Sequence, residues 1–308
     1  MNPNSNPAVA CARAAVAALG QAWNGKVNAT TTALYTELQR LADRAGLSQY
    51  RDLSYGRHEQ QVLDLVVPGD GPGNLPVVVY LHGGGFIRGD KLSPESDDLI
   101  YANVAAFFAR NAMIGVNANY RLAPAAAWPA GAEDVALILK WLRAHIAHYG
   151  GDPSQVFLFG NSAGAAHAAS YLFTEALHDS GAAGVRGALL SSGTFAATGE
   201  EGDIAYYGAD LAKHAERSPL GLLERYEGEQ LPMYMWSAQF DPPFIAAAVS
   251  RMHAQLCEKF SERPRFEQFQ GHNHVSHVMS LDSADDEVGN AILAFIAEVQ
   301  SRAGTPDS

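Results

Sequence analysis

The sequence predicts an α/β protein, a doubly wound and mostly parallel sheet with helices on both faces and added helical cap elements. Three observations carry that prediction. Short apolar runs such as Val77–Leu81 and Val156–Phe159 are nearly continuous instead of alternating, as strands buried on both faces are. Stretches with helical periodicity separate them. One run, Val156–Phe159, passes through Gly160-Asn161-Ser162-Ala163-Gly164 into a small-residue stretch, the pattern of a serine held on a sharp strand-to-helix turn.

Residues 1–50 are rich in Ala, Leu, Thr and Gln, and Leu34, Leu38 and Leu41 recur at helical spacing with Tyr35 alongside. Two or three helices are expected there, forming an N-terminal cap segment. Residues 51–303 then read as one domain, because strands and helices alternate without a linker break. Strands are expected at Val62–Val67, Val77–Leu81, Met113–Ala118, Val156–Phe159, Gly187–Ser191, Met233–Ser237 and Arg265–Gln270. Helices are expected near Leu99–Arg110, Ala132–Tyr149, Ala163–Leu177, Phe244–Phe260 and Glu287–Ser301. Residues 193–231 break the rhythm, being long for a plain connection and lacking a strand signal, and read as an inserted helical flap. Flap and N-terminal helices together would roof the serine, with Phe86, Tyr206, Tyr207 and Phe244 as expected pocket walls.

The 33 acidic and 21 basic residues of this 308-residue chain give a formal net charge of -12, which argues against a nucleic-acid or anionic-membrane partner. Its two cysteines, Cys11 and Cys257, lie near opposite ends without metal-ligand spacing, so no metal and no disulfide framework is expected. No apolar run approaches the roughly 20 residues of a membrane span. The N-terminus lacks the charge pattern of a secretory signal, and a cytoplasmic location is expected. The Gly-rich run Gly83–Gly85 has neither a following G-K-[ST] nor G-x-G-x-x-G spacing, so no cofactor is expected.

A serine hydroxyl needs a base, and the base needs a third group to fix its tautomer. On a sheet of this kind those groups follow later strands, acid first and histidine last. Asp241 follows Met233–Ser237, and His272, His274 and His277 follow Arg265–Gln270. Asp241 also suits a helix N-cap before Pro242-Pro243, and both roles can coexist; Asp203 and Asp210 lie in the flap ahead of the strand Met233–Ser237, with no rigid element behind them. Among the histidines His274 is favoured, since a loop residue needs a few positions to swing over the sheet edge, with His272 as runner-up. His82 reads as scaffolding for the glycine loop, His167 as a packed or half-exposed residue, and His145 and His148 as surface. Main-chain N–H groups of Gly84, Gly85 and Ala163 are the expected oxyanion donors.

With these residues in hand, the chain resembles α/β-hydrolase-fold carboxylesterases, in the branch of hormone-sensitive-lipase-like esterases, feruloyl-esterase-like proteins and arylformamidases. The likeness runs from about Gly56 to Phe295 and rests on His82-Gly83-Gly84-Gly85-Phe86, Asn119-Tyr120-Arg121-Leu122-Ala123-Pro124, Trp128-Pro129-Ala130, Gly150-Gly151-Asp152-Pro153, the Ser162 pentapeptide, Asp241-Pro242-Pro243 and His274-Val275-Ser276. It implies Ser162 as nucleophile, Asp241 as acid partner, His274 as base and Gly84 and Gly85 as donors. The expected function is hydrolysis of a small-molecule ester, short-chain or aryl, through an acyl-enzyme. An arylformamidase-type amidase would use the same triad, and a receptor that has lost its chemistry would lack one of its members. A homodimer is the candidate assembly.

Overall fold

Val77, Val79 and Leu81 of one strand enter one apolar core while Val78 and Tyr80 enter another, so the continuous apolar run is two alternating faces, each covered. The computed structural model describes residues 6–69, 73–179 and 183–303. In chain order its elements begin with α1 (Pro7–Leu19), α2 (Gly25–Gln39), β1 (Leu47–Ser54), β2 (Val62–Pro68), β3 (Leu75–Leu81), α3 (Ala102–Arg110) and β4 (Ile114–Ala118). There follow α4 (Ala130–His145), β5 (Gly151–Asn161), α5 (Ala163–Leu172), β6 (Gly187–Ser191), α6 (Glu201–Tyr207), α7 (His214–Arg217) and α8 (Pro219–Arg225). The chain ends with β7 (Met233–Phe240), α9 (Pro243–Lys259), β8 (Arg265–Asn273), α10 (Ser276–Met279) and α11 (Glu287–Ala303).

The strands form one sheet in the order β1-β2-β4-β3-β5-β6-β7-β8. β2 runs antiparallel to both neighbours, and every pair from β4 to β8 is parallel. Parallel strands put their carboxyl ends on one edge, where loops after β3, β5, β7 and β8 converge. Side chains of α4, α5 and α9 cover one face and those of α3 and α11 the other.

β1 is a strand where the sequence reading expected only helices up to residue 50. Its side chains are exposed apart from the half-buried Leu47 and Leu53, so it carries no buried apolar run. Two helices, α1 and α2, precede it, and they lie against the segment after β8. Val16, Tyr35 and Leu38 pack with Ile100, Val275 and Met279. Arg13 pairs with Asp285 at 2.5 Å, Gln39 Nε2 donates to the carbonyls of Met279 and Leu281, and Asn273 Nδ2 donates to Thr31 Oγ1 at 2.8 Å. Residues 193–231 hold three short α-helices, of which α8 sends Leu222 and Leu223 into the core beside α5 and α9. No described helix is long and apolar enough to cross a membrane.

Candidate active site

β5 ends at Asn161 and α5 starts at Ala163, leaving Ser162 alone to reverse the chain, at φ 55° and ψ −118°. That backbone is one an L side chain seldom adopts, and surrounding contacts hold it. Ser162 N donates to Ser191 O at 3.0 Å, and its carbonyl accepts from Ala166 N at 3.1 Å. A Cβ on Gly160 would sit 2.4 Å from the Gly164 carbonyl oxygen, and one on Gly164 would sit 2.1 Å from that of Leu81. Both flanking glycines are therefore required by close backbone approach.

The loop after β3 passes over the serine: a Cβ on Gly83 would meet the Ser162 Cβ at 3.2 Å. Gly84, at φ 138°, closes the turn by accepting from Arg88 N at 3.2 Å. His82 supports the loop from below. Its Nδ1 lies 2.6 Å from the Gly83 carbonyl and so carries the proton, its ring stacks on Tyr120 at 4.4 Å, and the Tyr120 hydroxyl donates to the His82 carbonyl. Burial pushes its pKa down, which keeps it a neutral scaffold.

Asp241 turns back on the end of β7, where its Oδ2 accepts from Ala238 N at 2.8 Å and from Ser192 Oγ at 2.7 Å. The N-cap role anticipated for it is not realised: α9 opens with Pro243 after Pro242 and has no side-chain cap. The carboxylate is committed elsewhere. Its Oδ1 lies 2.8 Å from His274 Nδ1, and His274 Nε2 lies 2.9 Å from Ser162 Oγ. Because a carboxylate only accepts, Nδ1 carries the proton and Nε2 presents its lone pair to the serine hydroxyl. Ser162, His274 and Asp241 are largely buried, and the Asp241 end of the chain of hydrogen bonds lies deepest.

The other two histidines of the loop do not reach Ser162. His272 Nδ1 meets Ser276 Oγ at 3.0 Å, beneath α2. His277 lies behind His274 and Asp241: its Nε2 lies 3.1 Å from the His274 carbonyl oxygen and 3.2 Å from Ser192 Oγ, and Trp236 Nε1 donates to its Nδ1 at 3.1 Å. Ser192 and Trp236 went unremarked in the sequence. The one signal for Ser192 was a small polar pair, Ser191-Ser192, at the carboxyl end of a strand.

Ser162 and His274 open into a cleft of about 860 Å³. Phe86, Phe244, Trp23 and the glycine loop line it, with Thr194, Ala196 and Glu200–Asp203 from the flap. Trp23, from the turn between α1 and α2, sets its ring edge-on to His274 at 4.7 Å, a contact no sequence pattern announced. Tyr206 and Tyr207, expected as walls, are instead 1% exposed each and lie outside the lining. Tyr206 stacks flat behind Phe86 at 4.7 Å and Tyr207 meets Phe86 edge-on, so the pair supports the wall without forming it. Amphipathic residues on a short helix turn their rings to the body because that side offers an apolar partner.

Residues 63–180 match the BD-FAE family model. Para-nitrobenzyl esterase of Bacillus subtilis is 34% identical over 152 residues, which are 43% of this chain and 30% of that protein. Carboxylesterase NlhH of Mycobacterium tuberculosis is 42% identical over 91 residues, 30% of this chain and 27% of that one. The chain thus spans less than a third of the length of these curated relatives. Esterase B from Lactobacillus Rhamnosis, solved with a C4-C4 SN3 tributyrin phosphonate inhibitor, superposes with a TM-score of 0.72 at 17% identity, over 95% of this chain and 96% of that one. A bacterial heroin esterase superposes with a TM-score of 0.69 at 21% identity, over 94% and 97%. Sheet order, serine elbow and these likenesses agree: the chain belongs to the α/β-hydrolase fold, and its sequence relatives lie in the carboxylesterase branch of it.

Proposed function

We propose that this protein is a serine carboxylic ester hydrolase working through an acyl-enzyme. The observation that carries the proposal is the unbroken line Asp241 Oδ1 to His274 Nδ1 at 2.8 Å and His274 Nε2 to Ser162 Oγ at 2.9 Å, at the floor of a cleft. His274 takes the Ser162 proton as Oγ attacks the ester carbonyl carbon, and Asp241 stabilises the imidazolium that forms. Negative charge develops on the former carbonyl oxygen. Main-chain N–H groups of Gly84, Gly85 and Ala163 are the donors for it, and each such donor is worth roughly a hundredfold or more in turnover. His274 then protonates the departing alcohol. Water, deprotonated by the same histidine, attacks the acyl-Ser162 carbonyl and releases the acid.

Short-chain or aryl esters are the proposed substrates. A cleft of about 860 Å³, walled by Phe86, Phe244 and Trp23, holds a drug-sized molecule. The relatives named for a nitrobenzyl ester and bound to a tributyrin phosphonate support the same size class. A panel of p-nitrophenyl esters of rising acyl length, run beside an aryl amide and N-formylkynurenine, tests the reading. Turnover of short esters with no activity on the amides is expected; preference for long-chain triglycerides would overturn the size class, and preference for the amides would overturn the ester assignment.

A further inference from the structure

Behind the triad lie three buried groups that the proposed reaction does not use: Ser192, Trp236 and His277, each fully buried. Their hydrogen bonds have a fixed direction. An indole N–H only donates, so Trp236 Nε1, 3.1 Å from His277 Nδ1, requires a lone pair on that nitrogen. The neutral ring therefore carries its proton on Nε2. That N–H faces the His274 carbonyl oxygen at 3.1 Å and Ser192 Oγ at 3.2 Å, both acceptors. Ser192, 2.7 Å from Asp241 Oδ2, spends its own hydrogen on the carboxylate, leaving its lone pairs for His277. From the indole onward, every donor in the chain points toward the acid or the backbone of the base.

We propose that His277 is a positioning residue, locked by Trp236 in its Nε2–H form so that one N–H fixes the main chain of His274 and, through Ser192, the carboxylate of Asp241. Burial keeps the ring neutral, pushing its pKa down to about 4 against the pull of the Asp241 charge. Protonation would set a second N–H against the indole donor and undo the lock. The effect on rate comes from geometry, since a displacement of roughly 1 Å in a catalytic group can cost about a hundredfold.

The proposal rests on the Ser162–His274–Asp241 reading, and the test separates the two. His277→Leu removes both ring nitrogens, while His277→Gln keeps an amide N–H near the Nε2 position. Rates of Ser162 labelling by a small alkyl phosphonate and kcat and KM on a short p-nitrophenyl ester are measured for each folded variant. His277→Leu is expected to lower the labelling rate and kcat by about tenfold or more with KM within about twofold, and His277→Gln to recover most of the loss. A folded His277→Leu variant that labels at the wild-type rate overturns the proposal. If that variant does not fold, long-range proton–nitrogen spectra of the wild-type protein, with His277 assigned from His277→Gln, decide the matter. The Nε2–H form is expected, and an Nδ1–H or doubly protonated ring at neutral pH overturns the lock. Wild-type protein that leaves Ser162 unlabelled would defeat the catalytic reading itself, and this proposal with it.

Discussion

His167 stands five residues beyond Ser162 on α5, sealed among the rings of Phe86, Tyr120 and Tyr206 at centroid distances of 5.3, 4.5 and 5.0 Å. Neither ring nitrogen has a hydrogen-bond partner. Burial, aided by nearby His82, pushes its pKa from 6.5 down to about 3. The unfolded chain therefore binds a proton here that the native state refuses, so stability is complete above about pH 6.5 and declines as the pH falls toward 3. Each pH unit in that window costs about 1.4 kcal/mol, or about 3 kcal/mol by pH 4.5. His277, held down near pKa 4, adds a similar loss over most of the window. Against a total stability of about 5–15 kcal/mol, the sum matters. His167→Leu keeps the volume and removes the titrating group. Urea unfolding followed by circular dichroism should find it equal to wild type, or about 1 kcal/mol more stable, near pH 7.5. At pH 4.5 the gap should widen by about 3 kcal/mol in favour of the variant. A gap that does not change with pH would refute the claim that this ring is held neutral.

Loss of His274 should be nearly as damaging as loss of the serine, because members of one relay fail together, so His274→Ala should lower kcat by several orders of magnitude. His272→Gln, which alters a ring bonded to Ser276 and not to Ser162, should keep most of the turnover in the same ester assay. Trp23→Ala should change relative kcat/KM across the acyl-length panel by roughly severalfold with little shift in the thermal midpoint, since Trp23 is 41% exposed yet lines the cleft. Prolonged dialysis against EDTA should leave turnover unchanged, as the Ser162 relay requires no metal; loss restored by a divalent ion would contradict that.

The elements that the sequence disclosed are those whose burial writes a pattern. β3, β5, β6 and β7 are covered on both faces and show as apolar runs, and the elbow shows because close packing at Gly160 and Gly164 admits only glycine. β1 does not show: an edge strand with exposed side chains has no burial to record. The groups that the structure brings together were legible where a turn demanded them, at Ser162 and the glycine loop, or where chain order did, at Asp241 and His274. The grouping of Ser192 and Trp236 with His277 was not, because the three meet only through the adjacency of β6, β7 and the segment after β8. Tyr206 and Tyr207 were misplaced for a related reason. Sequence shows that α6 carries two aromatics, but which way they turn depends on Phe86, which lies far away in the chain.

The central claim is that Ser162 is the nucleophile, and covalent labelling tests it most directly. The wild-type protein should react with a fluorophosphonate to one adduct per chain, mapped by peptide mass spectrometry to the peptide holding Ser162, with ester turnover lost in step. Ser162→Ala should neither label nor turn over. An adduct on another residue, or a Ser162→Ala variant with near-wild-type turnover, would contradict the account.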